Sequence, residues 1–187
     1  LGEIEVELEN NSNPYFKFYT DSSAMKTIIK GISKAGIKSL EIEQMEMNES
    51  EISMSFEMEN PAQVLGNYHR YKLPTASNGV DSWHMNILTQ QRTSPLEIPH
   101  LLSEKYEYTI VLPANANLLE KPMVRNYKYD FGSVNISIEQ NNTEVTVVRE
   151  ITFNKTTISI AEYPKFKDMM NLWNNEKYRF VIYKVFD

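Results

Sequence analysis

Residues 133–153 read SVNISIEQNNTEVTVVREITF, and this stretch decides the fold. Apolar and polar residues alternate in SVNISIE, and the same period of two recurs in EVTVVREITF. An extended chain with this alternation places its apolar side chains on one face of a sheet. Asn141 and Asn142 lie between the two segments and are typical of a tight turn. The stretch therefore predicts two antiparallel strands joined as a hairpin.

From residue 75 onward, further segments predicted to be strands surround this hairpin. In EKYEYTIVLP, Tyr106 and Tyr108 alternate in step with Ile110 and Leu112, and tyrosines in that position usually line a core. The candidate strands are 83–90, 104–112, 123–131, 133–139, 143–153 and 177–186. Strands at this spacing favour an antiparallel sandwich. The last of them is apolar on both faces, so we expect it to be central and covered on both sides.

One helix is predicted near residues 162–174. Phe166, Met169, Met170 and Trp173 recur at helical spacing in AEYPKFKDMMNLWNN, and Pro164 suits a first helical turn. We expect this apolar stripe to pack over a sheet face or over one end of the sandwich.

The first 74 residues contain both strand and helix patterns. GEIEVELEN alternates as a half-buried strand, residues 21–36 have helical spacing, and residues 37–58 predict a hairpin around Asn48, Glu49 and Ser50. We therefore predict a small α+β portion over 1–74, followed by a β-sandwich over 75–187 with its one covering helix. The fold class is mainly β.

Composition excludes several classes of function. The net charge of −6 opposes the basic excess of a nucleic-acid binder, and no apolar run is long enough for a membrane span. The chain has no cysteine, which excludes a cysteine nucleophile, a disulfide and thiolate metal sites. It begins at Leu1 rather than Met, so we expect a processed or excised piece.

No catalytic, metal or cofactor motif is visible. His69, His84 and His100 form no metal-ligand pattern, and we expect each to be a surface or packing histidine. Asp81 lies near His84 in sequence, but a triad depends on spatial geometry that local spacing does not supply. We therefore expect no catalytic, cofactor-binding or metal-binding residues.

Four residues are candidates for contact with a ligand or partner. Arg149 shares its strand parity with Val147 and Ile151, so its guanidinium should point to the core side. A structural ion pair, a path for the side chain to the edge of the sheet, or an anion contact in a cleft would satisfy it. Trp83, Tyr68 and Tyr71 lie near turns and are candidates for an exposed aromatic patch that could stack on sugar rings.

Two long stretches resemble a known kind of protein. They are GVDSWHMNILTQQRTSPLEIPHLLSEKYEYTIVLP (79–113) and REITFNKTTISIAEYPKFKDMMNLWNNEKYRFVIYK (149–184). Residues 75–187 resemble the domain of unknown function that follows a transglutaminase-like (papain-like) module in large secreted or periplasmic proteins of Bacteroides-type bacteria. That domain ends with a Y-P-x-F/L helix and a closing strand, and Tyr163 to Phe166 reads YPKF here.

The resemblance implies an accessory role in the periplasm or cell envelope. The Cys, His and Asp of the transglutaminase-like module would lie upstream, and this chain offers no position for them. We therefore expect a non-catalytic accessory or interaction module whose partners are neighbouring domains of the same polypeptide, with a glycan or another protein as further partners. The alternative is a carbohydrate-binding β-sandwich module that uses Trp83 and nearby tyrosines.

Overall fold

The computed structural model describes residues 2–9, 41–45, 49–56, 62–73, 75, 80–82, 91–98 and 101–186. The chain is mainly β and antiparallel. Within the described ranges the strands are β1 (Gly2–Glu9), β2 (Glu41–Met45), β3 (Glu49–Phe56), β4 (Ala62–Leu65), β5 (Tyr68–Lys72), β6 (Leu96–Glu97), β7 (Leu102–Val111), β8 (Ala116–Leu118), β9 (Met123–Tyr129), β10 (Gly132–Asn141), β11 (Glu144–Phe153), β12 (Thr157–Ile158) and β13 (Phe180–Val185). One α-helix, α1 (Tyr163–Trp173), and two 3-10 turns, Val80–Ser82 and Glu176–Arg179, complete these ranges.

The large sheet has seven strands in the order β2-β3-β1-β7-β11-β10-β9. Its hairpin β10–β11 pairs without a break from Gly132 opposite Phe153 to Asn141 opposite Glu144. Asn142 turns the chain with a φ of 53°, a left-handed conformation that asparagine tolerates well. The hairpin predicted at 133–153 is confirmed.

The central strands of the large sheet bury one face and leave the other partly exposed. Along β11, and along β7 and β10 up to their last residues, buried and less buried residues alternate. Tyr106 and Tyr108 are each 1% exposed, so these tyrosines line the core as the alternation predicts. The opposite face of the same strands carries polar residues such as Lys105 and Glu107.

Helix α1 covers part of the buried face. Its apolar stripe of Phe166, Met169, Met170 and Trp173 is buried, and a proline lies in its first turn. The ring centroid of Phe166 lies 5.8 Å from that of Phe153, and the centroid of Trp173 lies 6.3 Å from that of Tyr106. The helix predicted near 162–174 is confirmed.

The second sheet has four strands in the order β4-β5-β13-β8, and we call it the small sheet. Its inner face joins the common core through Tyr71 and Val181. The final strand β13 is central in this sheet, as expected, but it is not covered on both sides, because only Val181 of the strand is buried. On its outer face the guanidinium of Arg70 lies over the ring of Phe180. Strands β6 and β12 form a separate short pair.

The first 74 residues contribute strands to both main sheets. The predicted hairpin is confirmed as β2–β3, although Glu49 and Ser50 belong to β3 and not to the turn, and β1 lies between β3 and β7 in the large sheet. Strands β4 and β5 join the small sheet beside β13. The predicted division at residue 74 stays a prediction, and strands from either side of it share both sheets. The helix predicted at 21–36 and the strand predicted at 83–90 lie outside the described residues.

Candidate functional site

Arg149 lies in the interior, on the buried face of β11. It is 0% exposed, and its Nη2 donates a hydrogen bond of 2.9 Å to the carbonyl oxygen of Trp173. The guanidinium carbon lies 4.2 Å from the centroid of the Trp173 ring, a cation–π distance. Asp81 Oδ1 lies 4.0 Å from Nη2. The structure thus contains the ion pair that the parity of this strand suggested for a buried arginine.

Asp81 lies in the 3-10 turn Val80–Ser82 and accepts hydrogen bonds from donors on other elements. Its Oδ1 accepts a hydrogen bond of 2.7 Å from Trp173 Nε1 and one of 2.8 Å from Arg179 Nη2. Arg179 Nη2 also donates to Asn174 Oδ1 at 3.0 Å, which fixes this arginine beside the end of α1. One carboxylate therefore serves two guanidinium groups and the indole.

Glu104 is the second buried carboxyl group. It is 0% exposed and accepts hydrogen bonds from the Val80 backbone N–H at 2.9 Å and from the Tyr106 hydroxyl at 3.0 Å. Burial raises the pKa of Glu104 to about 7, and the two hydrogen bonds oppose this shift only in part. The carboxyl therefore changes its protonation state near neutral pH.

Asp81, Glu104, Arg149 and Arg179 together form what we call the buried charged cluster. A carboxyl with a raised pKa beside an arginine is a pattern that catalytic sites share with structural networks. Here Glu104 is fully enclosed and already bonded to Val80 and Tyr106. Nε and Nη1 of Arg149 have no hydrogen-bond partner in the described part of the chain, and the adjacent indole ring provides its cation–π contact. This arrangement is suited to holding β7, β11, α1 and the 3-10 turn together.

A second charged region lies on the outer face of the small sheet. The register places Lys72 opposite Phe180, Arg70 opposite Ile182 and Tyr68 opposite Lys184, on alternate positions that share one face. We call this surface the cationic face; it comprises Tyr68, Arg70, Lys72, Phe180, Ile182, Lys184 and Phe186.

Aromatic rings hold two of these cations. The guanidinium carbon of Arg70 lies 3.5 Å from the centroid of the Phe180 ring. Lys184 Nζ lies 5.7 Å from the Tyr68 ring and 5.0 Å from the Phe186 ring. Both Tyr68 and Phe186 remain more than two-fifths exposed, at 44% and 43%.

The three predicted contact residues that the structure describes, Tyr68, Tyr71 and Arg149, do not share one surface. Tyr68 is exposed on the cationic face, whereas Arg149 is in the interior. The exposure expected for Tyr71 is wrong: its side chain is 5% exposed because alternation along β5 turns Tyr68 outward and Tyr71 inward, opposite Val181. Trp83 lies outside the described residues, and a ligand contact by any of the four stays a prediction.

His69 behaves as a packing residue. Its ring is partly buried and stacks on Tyr183 at a centroid distance of 5.0 Å, which confirms the expectation for this histidine. His84 and His100 lie outside the described residues. Among the residues that the structure describes, no three metal-ligating side chains group together.

Comparison with known proteins identifies the family. Residues 68–183 match the family described as "Domain of Unknown Function with solved-structure structure", DUF3858. The chain belongs to the DUF3858 family. The match runs from β5 into β13, so it includes the whole buried charged cluster and most of the cationic face, whose Lys184 and Phe186 lie just beyond residue 183.

A solved structure resembles this chain over 64% of its length. It is the crystal structure of a "putative protease" from Parabacteroides distasonis, with 28% sequence identity and a TM-score of 0.58. The similarity covers 64% of this chain but 24% of that chain, so the chain spans about a quarter of the solved protein. Among curated proteins, none matches the chain. The described part of the chain has no helix long and apolar enough to cross a membrane.

Proposed function

We propose that this chain is a non-catalytic accessory module of a larger secreted or periplasmic protein that carries a transglutaminase-like (papain-like) catalytic unit. The observation that carries the proposal is the proportion of the structural match. The chain resembles about a quarter of a much longer protein described as a "putative protease", yet it has no cysteine of its own to act as a nucleophile. The reacting groups of such a protein would then belong to another part of the polypeptide.

The buried charged cluster supports a non-catalytic role for this chain. A general acid or base must come within hydrogen-bond reach of a substrate proton. Glu104, whose pKa of about 7 would suit acid–base chemistry, is fully buried and points to Val80 and Tyr106. The role that fits Glu104 is structural: its hydrogen bond from Val80 joins the large sheet to the 3-10 turn.

An accessory module acts through its surface, by packing against or orienting a neighbouring unit. The small sheet offers such a surface, because its outer face exposes aromatic and cationic side chains together. The hairpin β4–β5 extends the surface with Leu65, which is 81% exposed. Exposed apolar residues beside a polar rim are typical of protein contact sites.

The test separates the module from the reacting unit within the complete polypeptide. The complete gene product should carry a cysteine-containing papain-like segment before this domain. Replacing that cysteine by alanine should abolish turnover, while Glu104→Gln in the module should leave kcat unchanged. A fall in kcat caused by Glu104→Gln, with far-UV circular dichroism and melting temperature unchanged, would contradict the proposal, as would a gene product without such a segment.

The carbohydrate-binding alternative retains one favourable observation, the exposure of Tyr68. Lys184 already lies over that ring, and Tyr71 is buried, so Tyr68 and Tyr71 do not form an open pair of aromatic rings for a sugar. A glycan array tests the alternative directly. Hits that disappear in Tyr68→Ala or Trp83→Ala would favour it over the accessory role, and an array without hits would remove it.

A further inference from the structure

Among the described residues, the cations of the cationic face have no counter-charge. None of Arg70, Lys72 and Lys184 forms an ion pair with another described residue, and the register places no acidic residue of the described chain among them. Elsewhere lysines do find carboxylates, as in the pair Lys177–Glu120 at 2.9 Å. Acids outnumber bases in this chain by 25 to 19, so a surface where cations collect without acids departs from its overall charge. Such a surface favours an anionic partner.

The aromatic rings of the cationic face prepare the cations for binding. Arg70 stacks on Phe180, which restricts its side chain before any ligand arrives and leaves the guanidinium edge able to donate two parallel hydrogen bonds to a carboxylate. Lys184 lies near both Tyr68 and Phe186. The face therefore presents positive charge together with partly exposed rings.

Exposed aliphatic residues border the cations on two sides. Leu65 in the edge strand β4 is 81% exposed, and Leu119, just after the other edge strand β8, is 53% exposed. Three strand spacings of about 4.8 Å separate these edges, a distance of ~14 Å that a short extended peptide spans. Leucine side chains contact apolar side chains well and offer little to the hydroxyl groups of a sugar. They therefore favour a polypeptide over an acidic polysaccharide.

We propose that the cationic face binds an acidic polypeptide segment in extended conformation, with carboxylates on Arg70 and Lys184 and apolar residues on Leu65 and Leu119. The register makes Arg70 and Lys184 diagonal neighbours on β5 and β13, about 7–8 Å apart, and side chains two positions apart on an extended chain point the same way at a similar spacing of about 6.8 Å. The inference deepens the proposed function, since it names the chemistry of the partner that an accessory module would hold.

The test uses the isolated 187-residue chain and a labelled probe peptide, Leu-Thr-Glu-Thr-Glu-Thr-Leu, followed by fluorescence anisotropy. We expect saturable binding that weakens as salt is added, because screening acts on exposed charges. The isosteric peptide with Gln in place of both Glu residues should not bind. The double variant Arg70→Gln/Lys184→Gln should bind at least about tenfold more weakly, the loss expected for hydrogen bonds between charged groups.

Matched controls keep the result specific. Lys128→Gln/Lys167→Gln removes the same charge from other surfaces and should bind the probe as the wild-type chain does. Leu65→Ser keeps every charge and should still weaken binding, which a purely electrostatic surface would not show. Each variant should retain the circular dichroism spectrum of the wild-type chain, since all these side chains are wholly or partly exposed.

Several outcomes would overturn the inference. They are no saturable binding of the Glu peptide, equal weakening in the Lys128/Lys167 control, and tighter binding of a polygalacturonate oligomer than of the peptide. A concentration-dependent dimer that Arg70→Gln/Lys184→Gln abolishes would make a second copy the occupant and would also contradict it. Because the peptide assay has no catalytic readout, its failure is distinct from the failure of the kcat test above.

Discussion

Two arginines show how one kind of contact serves two purposes in this molecule. Arg149 lies over Trp173 at 4.2 Å and Arg70 lies over Phe180 at 3.5 Å, so both guanidinium groups stack on an aromatic ring. Arg149 is 0% exposed and has Asp81 and a backbone carbonyl beside it. Arg70 is partly exposed, and no described carboxylate pairs with it. The difference between the two is the counter-charge.

The two arginines differ because removing a charged group from water costs free energy. A charge removed from water is strongly destabilising unless the fold provides partners, and Arg149 has them in Asp81 and Trp173. A charge that keeps water on one side needs no internal partner, so Arg70 can remain available to a ligand. The interior cluster therefore contributes to stability, and the cationic face contributes to recognition.

Arg149→Ala should have the largest effect on stability. Removing one partner of a buried charged network typically costs about 3–5 kcal/mol. Urea denaturation of the variant measures this loss, and Arg149→Met should recover a large part of it because methionine fills a similar volume without a charge. A loss below about 1 kcal/mol in Arg149→Ala would indicate that the buried charged cluster contributes no more to stability than exposed charges do, and would contradict this account.

Glu104 should make stability depend on pH. Folding raises the pKa of Glu104 from 4.5 to about 7, so the folded chain binds this proton more tightly than the unfolded chain. The stabilisation is therefore complete below about pH 4.5 and is lost as the pH rises towards 7, by an amount on the order of 1–3 kcal/mol. Asp81 and Arg149 also act on this carboxyl, in opposite directions.

Urea denaturation at several pH values checks this prediction. Glu104→Gln should remove the decline between about pH 4.5 and 7. Glu107→Gln is the matched control, because Glu107 lies on the same strand but faces the partly exposed side. An unchanged pH profile in Glu104→Gln would contradict the role given to this residue.

Gly66→Ala tests the hairpin that carries the cationic face. Gly66 has a φ of +58° and open space around its Cβ position, so the substitution causes no clash and only the left-handed backbone is penalised. We expect a loss of about 1 kcal/mol, and less for Gly66→Asn, because asparagine tolerates this conformation. A much larger loss in thermal denaturation would mean that the hairpin β4–β5 contributes to the core rather than to the surface.

Arg70→Gln should have the smallest effect on stability. Exposed charges away from a network usually change the free energy of unfolding by less than about 0.5 kcal/mol. The same variant should weaken peptide binding, so its effects on stability and on binding should separate. A loss as large as that of Arg149→Ala would remove the distinction between the two arginines.

Alternation along single strands predicted much of this fold. It placed Tyr106, Tyr108 and Arg149 on the buried face, where the structure has them. The same rule could have identified Glu104, which shares the parity of Tyr106. In YHRYK it could not decide between Tyr68 and Tyr71, because they are three positions apart and only one can point inward.

The contacts that the sequence could not predict depend on pairing between residues far apart in the chain. Asp81 meets Trp173 and Arg179 across separations of 92 and 98 residues, and no local pattern encodes such contacts. The cationic face likewise depends on β5 lying beside β13, which is more than a hundred residues later in the chain. Charges that appear scattered along the sequence become one surface only through that pairing.

One nuclear magnetic resonance titration tests the central claim most directly. The isotope-labelled chain is titrated with the Leu-Thr-Glu-Thr-Glu-Thr-Leu peptide, and the perturbed backbone amides are mapped on the structure. We predict the largest shifts in β5 and β13, around Arg70 and Lys184, with the amides near Arg149 and Glu104 unchanged. Shifts centred on Arg149 and Glu104, with β5 and β13 unaffected, would contradict the account.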